Sequence, residues 1–310
     1  MDRRVGFMIV GTPRSGTTLV QRLACEIPGV AVPPETHFLY FFAAGLHRRR
    51  AFPLDAPAIR DEIRLYLELD NSRDLAVDPD AIAEELGGEC RSILDLFTAL
   101  VRHLAGPAEL YGEKTPAHVV WWDRLAEAAP WMRFVAVVRH PGAVVASWLE
   151  AWPYESWIAA AERWRLDQLR IAEMVGALGP ARSLVLRYED VVRRPGAARA
   201  ALAGFLGRET PQAPALPARP LYLPWETWKH RSLECIDSGR ADAWQRALTA
   251  EQTAHVAHVC REGMARFGYD CPFRANAPAT GDEPEHAAHV ERCRREREQK
   301  LREAAETPVD

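Results

Sequence analysis

Short apolar runs alternate along the chain with longer segments in which apolar residues recur at helical spacing. The runs lie within residues 5–10, 133–138 and 183–187, and the clearest helical segments are 93–104 and 158–178. Continuous apolar runs are typical of strands that are buried on both faces of a parallel sheet. Strands that alternate with helices in this way predict an α/β fold with a central parallel sheet flanked by helices.

The first apolar run is followed by a turn that contains two glycines. Residues 11–18 read Gly-Thr-Pro-Arg-Ser-Gly-Thr-Thr, and a helical segment over 17–26 follows. Glycines allow backbone N–H groups to approach an anion closely, and the start of a helix adds a partial positive charge. The sequence therefore predicts a phosphate loop and, with it, a three-layer P-loop NTPase-like fold.

Two positions differ from the pattern of loops that bind nucleoside triphosphates. Those loops carry a Lys directly after the second glycine, and a later strand commonly ends in an Asp that holds magnesium. Here the first position is Thr17, the cation of the loop is Arg14, and the 133–138 strand ends in Arg139. We therefore expect an anion site without a metal, and a magnesium-dependent kinase of a small metabolite is the alternative.

The chain as a whole carries little charge. Its net charge is −4 with a pI of about 6.2, and 48% of its residues are hydrophobic. We expect a soluble globular protein, and no overall field favours nucleic acid or an anionic membrane. Because the early apolar run is too short to span a bilayer, a cytoplasmic enzyme without a transmembrane segment is expected.

The six cysteines form no C-x-x-C pair. In a chain of this length, such scattered cysteines predict free thiols and not a disulfide framework or a zinc site. His286, His289 and Cys293 could be considered as metal ligands, but no other residue supports a metal there. No metal is therefore expected.

A second short strand is predicted at residues 30–32, and two prolines end it. Glu35, Thr36 and His37 come directly afterwards. Open α/β sheets bind ligands beyond the carboxyl ends of their strands, so an acid and an imidazole are placed beside the phosphate loop. Glu35 is therefore a candidate general base, and His37 is the alternative because imidazole commonly serves as a base near neutral pH.

These motifs resemble those of sulfotransferases that use 3'-phosphoadenosine 5'-phosphosulfate (PAPS), in particular the tyrosylprotein sulfotransferase-like and bacterial branch. Residues 11–19 are similar to its 5'-phosphosulfate loop, which has Arg where the cytosolic enzymes have Lys. The family's Glu-Thr-Arg tripeptide, whose Glu is the general base, lies twenty-one residues after the loop Arg, as Glu35 does after Arg14. His37 replaces the Arg of that tripeptide, which leaves the acceptor contacts of this position open.

The resemblance implies in-line transfer of a sulfuryl group from PAPS to an acceptor hydroxyl, with 3'-phosphoadenosine 5'-phosphate (PAP) as the product. Lys114, in Lys-Thr-Pro, is similar to a family Lys that stabilises charge on the transferring group. Arg139 and Ser147 resemble the pair that binds the 3'-phosphate. The catalytic residues that the resemblance implies are Glu35, Lys114, Arg14 and His37.

Further residues are implied to bind the nucleotide. Tyr188 matches a family tyrosine near the adenosine. Residues 230–244 loosely resemble a late loop that covers the nucleotide, for which Arg240 is the stronger candidate and Lys229 the weaker. The PAPS-binding set is then Arg14, Ser15, Gly16, Thr17, Thr18, Arg139, Ser147, Tyr188 and Arg240.

The domain organisation follows from the extent of the resemblance. We assign residues 1–275 to one sulfotransferase domain, in which residues 38–107 read as helices and loops and are the expected acceptor and lid region. Residues 111–116 read as a turn-rich segment. The strongly charged residues 276–310 are expected to be a solvated helix or a disordered tail.

The acceptor is expected to be a small-molecule hydroxyl in preference to a peptide tyrosine or a glycan. Trp148 and Trp152 share a helix face and could line an acceptor pocket, although such a pair is more often part of a core. A PAPS- or PAP-binding module without catalysis remains as a further alternative. The sequence predicts no oligomeric state.

Overall fold

The structure, a computed structural model, describes residues 4–152, 156–212, 217, 219–270 and 284–310. Its strands are β1 Val5–Gly11, β2 Val30–Ala31, β3 Leu54–Asp55, β4 Glu89–Cys90, β5 Leu110–Lys114, β6 Arg133–Val138 and β7 Ser183–Arg187. Five of them form a parallel sheet in the spatial order β2-β5-β1-β6-β7. The other two, β3 and β4, form a short antiparallel pair.

Helices connect the strands and cover both faces of the sheet. In the described residues they are α1 Thr17–Cys25, α2 Ala44–Arg49, α3 Ala56–Tyr66, α4 Pro79–Glu85, α5 Ile93–Ala105, α6 Trp122–Ala128, α7 Pro141–Ala151, α8 Trp157–Arg182, α9 Tyr188–Arg193, α10 Pro195–Leu206, α11 Ala250–Arg266 and α12 Pro284–Glu306. A turn of π-helix, Phe38–Ala43, precedes α2. Short segments of 3₁₀ helix lie at Pro116–Trp121, Thr227–Ser232, Ser238–Ala241 and Ala243–Arg246.

The central strand β1 is buried on both of its faces. Phe7 and Ile9 pack with residues of α1 and α10 in one hydrophobic cluster, whereas Met8 and Val10 pack with residues of α5 and α8 in another. Successive side chains of a strand point to opposite faces, so a strand between two helical layers is typically apolar on both faces, as β1 is. The predicted three-layer α/β fold is confirmed.

The five parallel strands bring their carboxyl ends to one edge of the sheet. There β1 leads into the phosphate loop, β5 ends at Lys114, β6 is followed by Arg139 and β7 by Tyr188. Glu35 follows β2 at the same edge. The topology therefore places every strand end beside a predicted site residue, as expected for ligand sites in open α/β sheets.

The prediction of a turn-rich segment at residues 111–116 is wrong, because β5 lies there, between β2 and β1. A Cβ on Gly112 would lie 2.2 Å from the Phe7 ring of β1, so glycine is required by close packing and not by a turn. Glu113 and Lys114 are polar but fully buried. These residues hide the apolar run by which a buried strand is normally detected.

Residues 38–107 are mainly helical, as predicted, except for the pair β3 and β4. Asp78 caps α4 and Ser92 caps α5 through their side chains, which accept backbone N–H groups of the first helical turn. Of this fully described region, Asn71 is the one residue that lines the cavity described below. Its role as acceptor and lid region stays a prediction.

The C-terminal segment is not a solvated tail over its described part, residues 284–310. Arg297 of α12 is 3% exposed, and Ala304 is 2% exposed. The Arg297 guanidinium lies 2.6 Å from Asp167 of α8, within ion-pair distance but without the alignment of a hydrogen bond. Arg163 donates to the same carboxylate at 3.0 Å. Helix α12 therefore packs as part of the fold; residues 276–283 lie outside the described residues.

Several expected absences concern only the part of the chain that the structure describes. There, no helix is both long and apolar enough to cross a membrane, and no three His, Cys, Asp or Glu side chains are grouped so that they could hold a metal. Cys271 and the His286 side chain lie outside the described residues. A cytoplasmic location and the absence of a metal stay predictions. In the described residues, Cys25, Cys90, Cys235 and Cys293 have free thiols.

We expect Asp167→Asn to lower the free energy of unfolding by about 3–5 kcal/mol, since it leaves two buried guanidinium groups without their carboxylate. Urea unfolding measures the loss. The control is Asp61→Asn, which removes a surface carboxylate paired with Arg64 and should leave stability nearly unchanged. Equal losses in the two variants would contradict the role assigned to the contact between α8 and α12.

Candidate active site

A cavity of about 1120 Å³ opens at the carboxyl edge of the sheet. A pocket for one small ligand typically has about 300–1,000 Å³, so this cavity has room for two substrates. Lys114 is fully buried behind Glu35, and Ser15 is fully buried beneath the loop. The other predicted site residues line the cavity: Arg14, Gly16, Thr17, Thr18, Glu35, His37, Arg139, Ser147, Tyr188 and Arg240.

The phosphate loop adopts backbone conformations that few residues tolerate. Gly16 has a φ of +90° and directly precedes α1, whose first residue is Thr17. A Cβ on Gly16 would lie 2.3 Å from the ring of Tyr188, so this ring packs on the loop. Arg14 has a φ of +73°, and its carbonyl accepts a hydrogen bond from Arg139 at 2.9 Å. The first N–H groups of α1 thus reach the cavity without intrahelical partners.

The backbone N–H and the hydroxyl of Ser15 have different surroundings, and the predicted role of this residue in binding PAPS stays a prediction. Its N–H donates to the Thr12 carbonyl at 3.1 Å, and its hydroxyl is buried without a partner. The Thr12 hydroxyl in turn accepts from the amide of Gln168 at 3.1 Å. The Ser15 N–H therefore supports the loop, while its hydroxyl and the N–H groups of Gly16, Thr17 and Thr18 stay candidate donors to a ligand.

Three guanidinium groups lie at one end of the cavity. Arg14 Nε donates to the Ser147 hydroxyl at 3.3 Å, and Arg139 and Arg240 are close enough to lower the pKa of Arg14. Burial first, and then Arg139, lower this pKa to about 10. Among the described residues, no carboxylate lies within 4.0 Å of these three groups. Charged but unpaired guanidinium groups are suited to binding oxyanions.

Arg139 is held from two sides and still has a donor to offer. Its guanidinium lies 4.2 Å from the centre of the Tyr188 ring, and its carbonyl accepts from the indole N–H of Trp164 at 2.9 Å. Its Nε is buried and has no hydrogen-bond partner. A buried donor without a partner is costly, which indicates that a ligand satisfies it.

Glu35 lies between two ammonium groups at the other end of the cavity. Its Oε1 accepts hydrogen bonds from Lys114 and from Lys229, the latter at 2.6 Å. Lys114 also donates to the Thr18 hydroxyl at 3.4 Å, and Lys229 pairs with Glu226. These groups form a chain of alternating charge that begins at the phosphate loop.

The ammonium groups determine the ionisation of Glu35. Burial alone would raise the pKa of this carboxyl, but Lys114 and Lys229 outweigh burial and hold the pKa below its usual range. The pKa of Lys114 is lowered to about 8 because burial and the charge of Lys229 outweigh the attraction of Glu35. Glu35 is therefore ionised at neutral pH but is a weak base while both ammonium groups contact it.

His37 lies beside Glu35, so the structure brings the two predicted bases together. Its Nε2 is 3.3 Å from Glu35 Oε2, and its Nδ1 is buried without a hydrogen-bond partner. Burial lowers the pKa of His37, so the ring is neutral at pH 7. One ring nitrogen thus faces Glu35, and the other does not reach the cavity.

A buried carboxylate that the sequence analysis did not single out fixes the turn that carries Glu35. Glu113 Oε1 accepts from the Thr36 hydroxyl at 2.9 Å, from the Thr36 N–H at 3.3 Å and from the Thr115 hydroxyl at 2.6 Å. Its Oε2 lies 2.9 Å from Nδ1 of His118, which is also fully buried. Because both oxygens of Glu113 have partners, this carboxylate rigidifies the backbone that carries Glu35.

Lys229 contacts Glu35 and not the guanidinium groups, although the sequence suggested a weak role at the nucleotide. A compositional signal was present: the chain has three lysines among 39 Lys and Arg residues, and two of these three contact Glu35. A chain that otherwise uses Arg places Lys where a compact ammonium fits a buried carboxylate.

The segment that carries Lys229, residues 221–235, is attached to α1. The amide of Gln21 donates to the Leu221 carbonyl at 3.0 Å, and Arg22 donates to the carbonyls of Ser232 at 3.1 Å and Glu234 at 2.7 Å. We call residues 221–235 the covering segment, because residues 225–229 and several that follow line the cavity. Its attachment points lie on the helix that begins in the phosphate loop.

The model of a family described as "Sulfotransferase family" matches residues 6–212, well over half of the chain. The chain belongs to the sulfotransferase family. This confirms the resemblance inferred from the loop, from the Glu35 turn and from Arg139. Membership of this family supports sulfotransfer as the activity of the site.

Two solved sulfotransferase domains share the fold. The sulfotransferase domain from the curacin biosynthetic pathway aligns with a TM-score of 0.60 and 19% identity, covering 87% of this chain and 99% of that chain. The sulfotransferase domain from the Synechococcus PCC 7002 olefin synthase aligns with a TM-score of 0.61 and 23% identity, covering 88% of this chain and 98% of that chain. At these identities the likeness concerns the fold. No curated protein matches this chain.

We expect Gly16→Ala to destabilise this sulfotransferase by about 1–3 kcal/mol, since a positive φ and contact with the Tyr188 ring both oppose a Cβ. Urea unfolding measures the change. Gly176→Ala is the matched control, because Gly176 lies within α8 with nothing within 4 Å of the added Cβ. It should be neutral or slightly stabilising. A loss no greater than that of the control would show that Tyr188 does not constrain the loop.

Proposed function

We propose that this sulfotransferase moves a sulfuryl group from PAPS to the hydroxyl of a small molecule, with Glu35 as the general base. The observation that carries the proposal is the distribution of charge in one cavity. Arg14, Arg139 and Arg240 lie at one end without carboxylate partners, and Glu35 lies between two ammonium groups at the other. A donor with several anionic groups fits the first end, and an acceptor hydroxyl can approach the second.

The residues at the guanidinium end fit PAPS. Arg139 has a buried Nε without a partner, and the Ser147 hydroxyl accepts from Arg14 and keeps its own proton to donate. These two would hold the 3'-phosphate, while Arg14 and the first N–H groups of α1 would hold the 5'-phosphosulfate. Tyr188 and Arg240 line the same end and would contact the nucleoside. When bound, PAPS supplies the sulfuryl group, and PAP remains after the transfer.

Glu35 would accept the acceptor proton at Oε2. Its Oε1 already accepts from Lys114 and Lys229, whereas Oε2 has only the 3.3 Å contact with His37. His37 is the less suitable base, because its Nδ1 is buried and its Nε2 faces Glu35. A carboxylate of low pKa is a weak base, so proton transfer must accompany bond formation or follow a loosening of the Lys229 contact.

Fixed positive charge would supply the larger part of the rate enhancement. Arg14, Lys114 and the N–H groups of Thr17 and Thr18 surround the place where negative charge develops as the acceptor oxygen attacks. Removal of one such donor typically costs about 3–4 kcal/mol of activation free energy, because preorganised donors act in a partly desolvated site. Lys114 connects the two ends, since it contacts both Thr18 and Glu35.

Calorimetric titration with PAP tests the donor site, in parallel with ATP plus magnesium and with adenosine 5'-phosphosulfate. We expect PAP to bind without a metal and more tightly than adenosine 5'-phosphosulfate, which lacks the 3'-phosphate that Arg139 and Ser147 would hold. Binding of ATP with magnesium alone would favour the kinase of a small metabolite. PAP binding without turnover of PAPS would favour a binding module without catalysis.

Two variants form a matched pair in this test. Arg139→Ala should weaken PAP binding by about tenfold to a hundredfold, since it removes a charge-assisted hydrogen bond. Glu35→Gln should lower kcat by about a hundredfold or more while PAP affinity is not weakened. A Glu35→Gln enzyme with near-normal kcat would contradict the assignment of the base and favour His37.

The charge of Lys114 predicts a pH dependence. Because its pKa is lowered to about 8, Lys114 loses its charge as the pH rises through that value, and attraction for the anionic donor is lost with it. We expect kcat/KM for PAPS, which reports ionisations of the free enzyme, to fall about tenfold per pH unit above this pKa.

The Lys229→Met variant is the informative comparison for the pH profile. Removal of this like charge should raise the pKa of Lys114 and move the fall in kcat/KM to higher pH. Lys300→Met is the control, because Lys300 pairs with Glu303 in α12 and does not line the cavity. An unchanged profile in Lys229→Met would mean that another group causes the fall.

A further inference from the structure

Three tryptophans form an aromatic surface in the cavity, which we call the tryptophan wall. Trp152 follows the end of α7, and Trp225 and Trp228 belong to the covering segment. The ring centroids of Trp152 and Trp228 are 5.7 Å apart at 65° between planes, and those of Trp225 and Trp228 are 5.7 Å apart at 64°. Both pairs meet edge to face, and all three rings line the cavity.

The tryptophan wall is not part of the hydrophobic core. Trp148 packs against the core and supports Trp152 from behind, with 4.9 Å between ring centroids. In the described part of the chain, the three wall residues do not pack against either core cluster, and Trp225 is 41% exposed. Their ring surface is therefore left to a ligand, in keeping with the function of aromatic residues at binding surfaces.

The tryptophan wall borders the place of transfer. Trp228 directly precedes Lys229, whose ammonium lies 2.6 Å from Glu35. On the loop side, the Arg14 guanidinium lies 5.6 Å from the centre of the Trp152 ring. A molecule stacked on the wall therefore lies between the loop that would hold the donor and the proposed base.

Apart from Arg14, which would hold the donor, two charged groups next to the tryptophan wall already have partners. Glu150 pairs with Arg231 at 2.6 Å, and Lys229 pairs with Glu35 and Glu226. A charged skeleton, or a sugar with many hydroxyls, would have to compete with these pairs. An uncharged planar ring would instead gain stacking and edge contacts from the indoles.

The two ammonium groups on Glu35 constrain the acceptor hydroxyl as well. They make the carboxylate a weak base, and a weak base serves an acidic hydroxyl best. A phenolic hydroxyl has a pKa of about 10, as in tyrosine, whereas that of water is about 15.7 and aliphatic alcohols are similarly weak acids. The wall and the base thus favour the same acceptor by separate arguments.

We propose that the acceptor is a phenol, a hydroxyl on an uncharged aromatic skeleton that stacks on the tryptophan wall. The proposal rests on the sulfotransfer function proposed above. In the reaction, the phenol oxygen forms a bond to sulfur and its proton passes to Glu35, while the bond from sulfur to the phosphate oxygen of PAPS breaks and PAP leaves. Trp152, Trp225 and Trp228 determine specificity and take no part in the chemistry.

Three probes of one shape separate stacking from acidity: 2-naphthol, 2-naphthalenemethanol and decahydro-2-naphthol. Each is titrated into the PAP complex of the full chain, with tryptophan fluorescence as the readout, and each is then assayed for turnover with PAPS. We expect the two aromatic compounds to bind at least about fivefold more tightly than the saturated one, and 2-naphthol alone to be turned over rapidly. Equal binding of all three, or equal turnover of the two aromatic compounds, would overturn the proposal.

Trp228→Leu should weaken 2-naphthol binding about fivefold and leave PAP affinity unchanged, which excludes misfolding as the cause. Trp131→Phe is the control, since Trp131 is 37% exposed and lies outside the cavity. It should bind both ligands as the wild type does.

A disaccharide or a tyrosine peptide that binds more tightly than 2-naphthol would overturn the proposal of a small phenol. Normal PAP binding with no aromatic preference would overturn it alone, whereas failure to bind PAP would overturn the proposed function as well.

Discussion

The parallel direction of the five strands is the constraint from which the rest of the structure follows. A parallel sheet needs helical crossovers on its faces, which bury both faces and send every strand end to one edge. The spatial order then decides which residues meet. Because β5 lies between β2 and β1, Lys114 reaches both Glu35 and the Thr18 hydroxyl of the phosphate loop. Residues far apart in the chain thus meet at the strand ends, and Lys229 joins them from the covering segment.

The two ends of the cavity hold charge in different ways. Guanidinium groups that lack carboxylate partners repel one another: after burial, the charge of Arg139 is the next largest cause that lowers the pKa of Arg14. The surrounding fold must tolerate this repulsion. At the other end, opposite charges are paired: Glu35 contacts Lys114 and Lys229, and Lys229 also contacts Glu226. The unpaired guanidinium groups favour the binding of an anion. The ion pairs at the other end keep the buried carboxylate of Glu35 ionised. Local departures from ideal stability of this kind are expected at functional sites.

Much of the fold could be predicted from the sequence because apolar periodicity and glycine turns are local signals. The strands at 133–138 and 183–187, the loop and the order of anion-binding residues were readable in this way. Strand β5 was not, because Glu113 and Lys114 are polar residues whose burial depends on partners from other segments. The packing of α12 was hidden for the same reason, since a charge-rich helix reads as solvated until Asp167 is seen beside Arg297.

The site was predictable as a set of residues but not as a set of distances. The loop, Glu35 and Arg139 carried motif signals, and Trp152 was noted for its spacing from Trp148, whereas Trp225, Trp228 and Lys229 lie in a segment without periodicity. The position of this segment depends on hydrogen bonds to Gln21 and Arg22 of α1, which cannot be predicted from local sequence patterns. Membership of the sulfotransferase family could therefore be inferred before any geometry, whereas the grouping of Trp152 with Trp225 and Trp228 required the three-dimensional structure.

The covering segment places side chains that face the cavity directly beside an ion-paired lysine, and this has an evolutionary consequence. A family that diversifies its substrates can vary positions 225 and 228 freely, because these side chains face the cavity and not the core. Position 229 lacks that freedom, since its ammonium is shared by Glu35 and Glu226. Relatives should therefore show variable and constrained positions only a few residues apart in this segment. A covering segment transplanted from a relative with another acceptor would need a lysine at the position of Lys229.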